Sequence, residues 1–343
     1  MDILIFDMDG VLIDVSRSYR QTIQLTVEIY LETCLGFEKG KKGPVTEEDI
    51  SLFKSAGGFN NDWDLTSALL HFLLFISGFP PSPRRKKFSC VEEVISHLKA
   101  RSSNLNKKTT RFIRKKNLSP FIRKVKLAGG GLKGVRKVLK SSREGWVYGE
   151  GDLNQENVVK RIFQEVYLGR KFTSYYHLPR LFYKGKGLYL QERLIIPRNI
   201  LSSLMKRVGL GIASGRPRFE AELALKRFRL SPYFDSMVTL DECQEEEARI
   251  FHTAGKRVKQ TKPHPYSLLR VVREIGIPNP RGGYVGDVVD DMLAARAAKR
   301  ELDILAIGFL HGAKKDEAVK DSLIKAGADL IIETPRALRR YLS

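Results

Sequence analysis

Residues 3–11 read Ile3-Leu4-Ile5-Phe6-Asp7-Met8-Asp9-Gly10-Val11, and the fold follows from this stretch. Four apolar residues without alternation predict a strand buried on both faces, as in a parallel sheet. Asp7 and Asp9 stand at i and i+2 just past it, so their side chains point to the same side at the strand's carboxyl end. Open α/β sheets place ligands at that edge. One carboxylate can attack phosphorus while the other protonates the leaving oxygen and then activates water. Taken alone, the same residues also read as a polar turn after a strand.

Short apolar runs recur late in the chain, at residues 210–213, 237–240, 284–285, 304–307 and 330–332. Stretches of helical character separate them, among them 217–228, 266–275 and 317–326, the last closed by Gly327 in the position of a C-cap. This β-α-β rhythm predicts an α/β fold with a doubly wound parallel-sheet core. About 200 residues of different, mainly helical texture lie between the first strand and the second, too many for a loop, so an inserted cap domain is expected. Residues 1–14 and 196–343 are assigned to the core, and 15–195 to the cap with a basic insertion at about 81–150. At 343 residues and 42% hydrophobic, the chain is long enough for two such domains.

Within the cap, residues 16–31 carry apolar residues at helical spacing. Thr46-Glu47-Glu48-Asp49 has the pattern of a capping box, opening a helix that ends at Gly57-Gly58. The longest apolar run, 68–79, includes His71 and falls short of the roughly 20 residues a bilayer demands, so it reads as a buried helix. Cys34, Cys90 and Cys243 show no CxxC spacing, which argues against a zinc site or a disulfide framework. The first residues enter a strand at once and leave no room for a signal peptide, so a cytoplasmic location is the expectation.

Three further segments carry candidate chemistry. In Leu210-Gly211-Ile212-Ala213-Ser214-Gly215-Arg216-Pro217, Ser214 is positioned to bind a phosphate oxygen or to cap the following helix, and Arg216 reads either as an assisting cation or as a surface charge. In Lys262-Pro263-His264-Pro265, prolines restrict the backbone around an ammonium that can neutralise a carboxylate and a transferring phosphoryl group; a solvated lysine is the plainer reading. His264 reads as structural. Asp287, Asp290 and Asp291 crowd the end of an apolar strand and repel one another unless a cation compensates them. Magnesium suits such oxygen donors.

Asp7 and Asp9, then Ser214, then Lys262, then Asp287 and Asp291 occur in the order of the four motifs of the haloacid dehalogenase superfamily. By motif, the chain resembles it over residues 1–14 and about 196–343. The insert's position is similar to the helical C1-type cap of phosphoglycolate phosphatase-like members. The resemblance implies Asp7 as nucleophile, Asp9 as general acid and base, and Ser214 and Lys262 as phosphate binders, with Gly215, Arg216 and Asp291 in support. It implies Mg2+ held by Asp7, the backbone carbonyl of Asp9, and Asp287. Asp291 fits the family's spacing better than Asp290. In related caps a loop between early helices closes over the substrate, making Asn60, Asn61, Asp62 and Trp63 candidates for leaving-group recognition. The alternative is a helix-joining turn with Asp62 as N-cap and Trp63 in the cap core.

The formal charge is +21, from 60 Lys and Arg against 39 Asp and Glu. Residues 84–143 hold 20 of those cations and only two acids, Glu92 and Glu93, so +18 of the excess is local. Cations such as Lys107-Lys108 and Arg114-Lys115-Lys116 alternate there with Phe88, Phe112, Ile113, Phe121 and Ile122, a mixture that can track a nucleic-acid backbone or remain a solvated insertion. The expected function is a Mg-dependent phosphatase acting on a phosphorylated small-molecule substrate, with a phosphomutase or phosphotransferase of the same fold, or a nucleic-acid-associated protein, as alternatives. Asp9 argues against a dehalogenase, which has no departing alkoxide to protonate.

Overall fold

The computed structural model describes residues 1–59, 61–105, 117–311 and 317–342. Asn60 and the cluster Lys107, Lys108, Phe112, Ile113, Arg114, Lys115 and Lys116 lie outside the described residues. The chain forms two compact units, Met1–Val15 with Glu192–Ser343, and Ser16–Gln191.

The first unit contains β1 (Ile3–Phe6), β2 (Ile13–Asp14), β3 (Arg193–Leu194), β4 (Gly209–Ala213), β5 (Ser236–Val238), β6 (Arg281–Gly286), β7 (Asp303–Phe309) and β8 (Leu330–Ile332). Six of them make one sheet in the order β5-β4-β1-β6-β7-β8, with every pairing parallel. β1 is central because all four of its side chains are apolar and buried. Leu4 and Phe6 join a core with Leu210, Ile212, Ile307 and the helix Arg198–Leu204. Ile3 and Ile5 face the other core, built with Leu268, Val271, Met292 and Ala295 from the helices Tyr266–Ile275 and Val289–Ala298. Burying each of these four side chains contributes about 2 kcal/mol, which leaves no polar position for the strand to expose. Helices therefore cover both faces. The order reverses at β1, where the chain builds β4 and β5 on one side before crossing to β6, β7 and β8 on the other. That switch point lies beside Asp7. The two-residue strands β2 and β3 pair antiparallel, Ile13 with Leu194 and Asp14 with Arg193, joining the outgoing and returning segments.

The second unit is helical, with the capping box at Thr46 in place: Thr46 N–H donates to Asp49 at 2.6 Å, and Asp49 N–H to Thr46 Oγ1 at 3.3 Å. Ten residues of the helix Asp62–Ile76 are buried, from Leu65 to Leu74. Its N-cap is Asn61, whose side chain accepts from Asp64 N–H at 2.7 Å, and not Asp62. Asn61 adopts the extended backbone conformation a cap requires, whereas Asp62 is already in the first turn.

The basic stretch is also more than a solvated insertion. Leu118, Ile122 and Val125 of the helix Leu118–Leu127 and Leu132 and Val135 of Gly131–Val138 turn inward. Phe121 packs on Phe72 at 4.6 Å between ring centroids. Trp146, 1% exposed, donates to the Pro80 carbonyl, and its own carbonyl accepts from Tyr30 Oη at 2.9 Å. Residues beyond Pro80 thus contribute to the unit's core.

Candidate active site

β1 delivers Asp7 to the sheet edge, with its N–H bonded to the Val285 carbonyl at 2.8 Å. The chain then turns tightly. Gly10, at φ +78°, donates to the Ile13 carbonyl while Ile13 donates back to Met8, leaving Asp9 at the turn with its side chain about one-third exposed. Only glycine adopts that φ without strain, which accounts for Gly10 after the second acid.

Lys262, on the loop before the helix Tyr266–Ile275, reaches into the same edge. Its Nζ lies 2.8 Å from Asp7 Oδ1, 2.7 Å from Asp291 Oδ1 and 2.9 Å from Tyr284 Oη. Tyr284 Oη in turn donates to Asp291 Oδ1 at 2.8 Å. Asp291 Oδ2 accepts from the N–H groups of Asp287 and Val288, at 3.1 and 3.2 Å. Asp291 comes this close to the strand because residue 286 is glycine: a Cβ there would stand 2.3 Å from Asp291 Cβ. Lys262 is therefore no solvated charge. His264 is exposed and accepts from Tyr266 N–H at 3.3 Å, a local turn contact.

Two buried carboxylates share this one ammonium. Burial disfavours the Lys262 charge, but Asp291 and Asp7 outweigh it and hold the group well above its usual range. Burial raises Asp7 to about 7 against the opposing pull of Lys262, and Asp291 and Asp9 add to the rise. Asp290 is raised too, by burial and then by Asp291, yet it stands outside the cluster of Asp7, Asp287 and Asp291, whose carboxylate oxygens lie within 4.8 Å of one another. Excess negative charge on hard oxygen donors fits a divalent cation such as Mg2+. Asp291 is engaged by four donors, Lys262 Nζ, Tyr284 Oη and the N–H groups of Asp287 and Val288, which suits it to orienting Lys262 and the loop.

Ser214 follows β4 directly, buried, and its Oγ accepts from Arg216 N–H at 3.2 Å. It does not cap the next helix, whose N-cap is Pro217. Gly215 would have no neighbour within 4 Å of an added Cβ, so open space adjoins the serine. Arg216 is not a surface charge. It is 2% exposed, its Nε lies 2.5 Å from Asp9 Oδ1, and its Nη2 lies 3.1 Å from Glu192 Oε1. Tyr284 and Glu192 went unread in the sequence: Tyr284 sits inside a strand as any core aromatic does, and Glu192 belongs to no motif.

The remaining candidates lie in the helical unit, each with a partner there. Asn61 caps its helix, Asp62 pairs with Lys54 at 2.9 Å, and Trp63 meets the edge of Phe163 with Lys160 above its ring.

Residues 197–302 match the family model described as haloacid dehalogenase-like hydrolase. Over that stretch the chain is similar to haloacid dehalogenase-like hydrolases. A phosphoglycolate phosphatase of Nitrosococcus oceani is 33% identical over 85 residues, 25% of this chain and 36% of that protein. An imidazoleglycerol-phosphate dehydratase of Phytophthora nicotianae is 24% identical over 297 residues, 86% of this chain and 41% of that protein. The chain thus spans about two fifths of the length of these relatives. The solved phosphatase Tt82 from Thermococcus thioreducens shares the fold, with a TM-score of 0.53 and 23% identity, over 94% of this chain and 99% of that one. No helix among the described residues is long and apolar enough to cross a membrane.

Proposed function

We propose that this haloacid dehalogenase-like protein is a Mg-dependent phosphatase that hydrolyses a small phosphomonoester through an aspartyl-phosphate. The observation that carries the reading is Lys262 bound between Asp7 and Asp291 at the carboxyl end of β1, with Asp9 two residues on.

Asp7 is the nucleophile. Its carboxylate oxygen forms a bond to phosphorus as the ester P–O bond breaks, and the departing alkoxide takes a proton from Asp9. In the second step Asp9 removes a proton from water, the hydroxide attacks phosphorus, and Asp7 leaves as carboxylate. Lys262 answers the charge on Asp7 and the transferring phosphoryl oxygens, and Ser214 with the adjacent backbone N–H groups binds a further oxygen. A divalent cation held by Asp7, the Asp9 carbonyl and Asp287 would supply further neutralisation of the phosphoryl oxygens.

The test is release of inorganic phosphate, with and without Mg2+, from 4-nitrophenyl phosphate and a broad ester panel including 2-phosphoglycolate and imidazoleglycerol phosphate. Metal-dependent turnover is expected, lost at least 1000-fold in Asp7→Asn, which keeps shape but removes the nucleophile. No turnover of any ester with metal present would sink the proposal.

A further inference from the structure

Arg216 sits in the core unit as a guanidinium with almost no access to water, its side chain 1% exposed. A desolvated cation persists in a fold only when acids meet it in good geometry. Two do. Glu192, also 1% exposed at its side chain, faces it with both oxygens, at 3.1 Å from Nη2 and 3.5 Å from Nη1, while Nε is left for Asp9 at 2.5 Å. Glu192 is itself fixed, since its carbonyl accepts from Arg227 Nη1 at 2.9 Å, and the next two residues form β3 against β2. β2 begins four residues after Asp9, and Ile13 makes a β-bridge with Asp9 itself. The returning segment thus carries the acid that orients the arginine, and the arginine in turn engages the partly exposed Asp9 carboxylate.

We infer that Arg216 is a positioning residue for Asp9, and that Glu192 sets the arginine's orientation. The inference rests on the phosphohydrolase reading above and adds what holds the proton-transfer carboxylate in place. The planar fork satisfies both acids at once, which a lysine's single ammonium cannot do at the same angles. A residue serving only to stabilise the unit would, when lost, lower turnover of every ester alike. One that positions Asp9 has a selective effect, because an alkoxide needs a proton as it departs and 4-nitrophenolate does not.

The experiment compares kcat/KM, with Mg2+ present, for glycerol phosphate and 4-nitrophenyl phosphate in the wild type, Arg216→Ala, Arg216→Lys and Glu192→Gln, with thermal unfolding measured for each. For Arg216→Ala the expected loss is about 100-fold or more on the alkyl ester and about tenfold or less on the aryl ester. Arg216→Lys should fail to close that gap, and Glu192→Gln should show it in weaker form. If Arg216→Ala does not fold, the other two variants carry the comparison. Equal losses on both esters in folded variants, beside an active wild type, overturn this inference alone. A wild type that turns over neither of these esters nor any other of the wider panel overturns the phosphohydrolase reading and this inference with it.

Discussion

Tyr284 and Asp291 share their acceptor and donor atoms with Lys262, and the balance among the three is what removing one of them tests. Tyr284→Phe keeps the ring in the sheet core and deletes the oxygen that accepts from Lys262 and donates to Asp291. The expected cost is about 1–2 kcal/mol of stability by urea unfolding, with a several-fold drop in kcat and little change in KM, because the ring is fully buried in the sheet core. Asp291→Asn should cost more, about 3–5 kcal/mol, since it leaves a buried ammonium with one carboxylate in place of two. A Tyr284→Phe protein as stable and as active as the wild type would show that the hydroxyl only fills space. At this scale the sequence was informative where chemistry follows a strand end at short range. Asp7, Asp9, Asp287 and Asp291 stand out because each breaks an apolar run. Arg216 stayed between an assisting cation and a surface charge, because its acid partners lie 24 and 207 residues away and local sequence carries no trace of either.

Between elements, the glycines of the basic stretch decide a contact. Gly129-Gly130-Gly131 interrupt the basic stretch in sequence, and in the fold Gly131 N–H donates to the Gly57 carbonyl at 2.7 Å, so the loop after one helix meets the loop before another. Gly131 has φ +59°, and a Cβ there would stand 2.4 Å from the Gly58 oxygen. Gly131→Ala therefore meets backbone as well as an unfavourable φ and should destabilise the protein by about 2 kcal/mol or more. Gly129, at φ +100°, has nothing within 4 Å of an added Cβ, so Gly129→Ala bears the conformational cost alone, about 1 kcal/mol. Equal urea midpoints for the two variants would count against the close approach. The long buried strands, the helices between them and the Thr46 box were legible because apolar period and capping chemistry are local. β2 and β3 were not, since two residues each carry no period, and their pairing depends on segments 180 residues apart.

Across the whole molecule, charge was easy to locate and hard to interpret from sequence, because composition does not tell which cations turn inward. Phe88 and Phe121, which offered stacking faces among the cations, pack against Tyr148 and Phe72. Arg85 and Arg136 are spent on Glu144 and Glu150, beside the buried His71 of the apolar helix. This ties the basic stretch to the helical unit's interior and makes that unit sensitive to acid. Burial, with Arg136 and Arg85 acting in the same direction, lowers His71 from its ordinary 6.5 to about 3. Between those values the unfolded chain holds a proton that the folded protein does not. The stability from a neutral His71 is thus fully present above about pH 6.5 and declines as the pH falls, by up to about 1.4 kcal/mol per pH unit until the folded value is reached. Glu144 is raised by burial and titrates in the opposite sense, so the measurement must be a difference. Urea unfolding of the wild type and His71→Gln at pH 7, 6 and 5 isolates the histidine, since both proteins keep Glu144. The wild type should lose stability relative to the variant as the pH falls, with the steepest divergence below pH 6. Parallel curves would mean that His71 gains a proton in the folded state as readily as in the unfolded chain, and that the Arg85, Arg136 and Glu144 cluster does not exclude it.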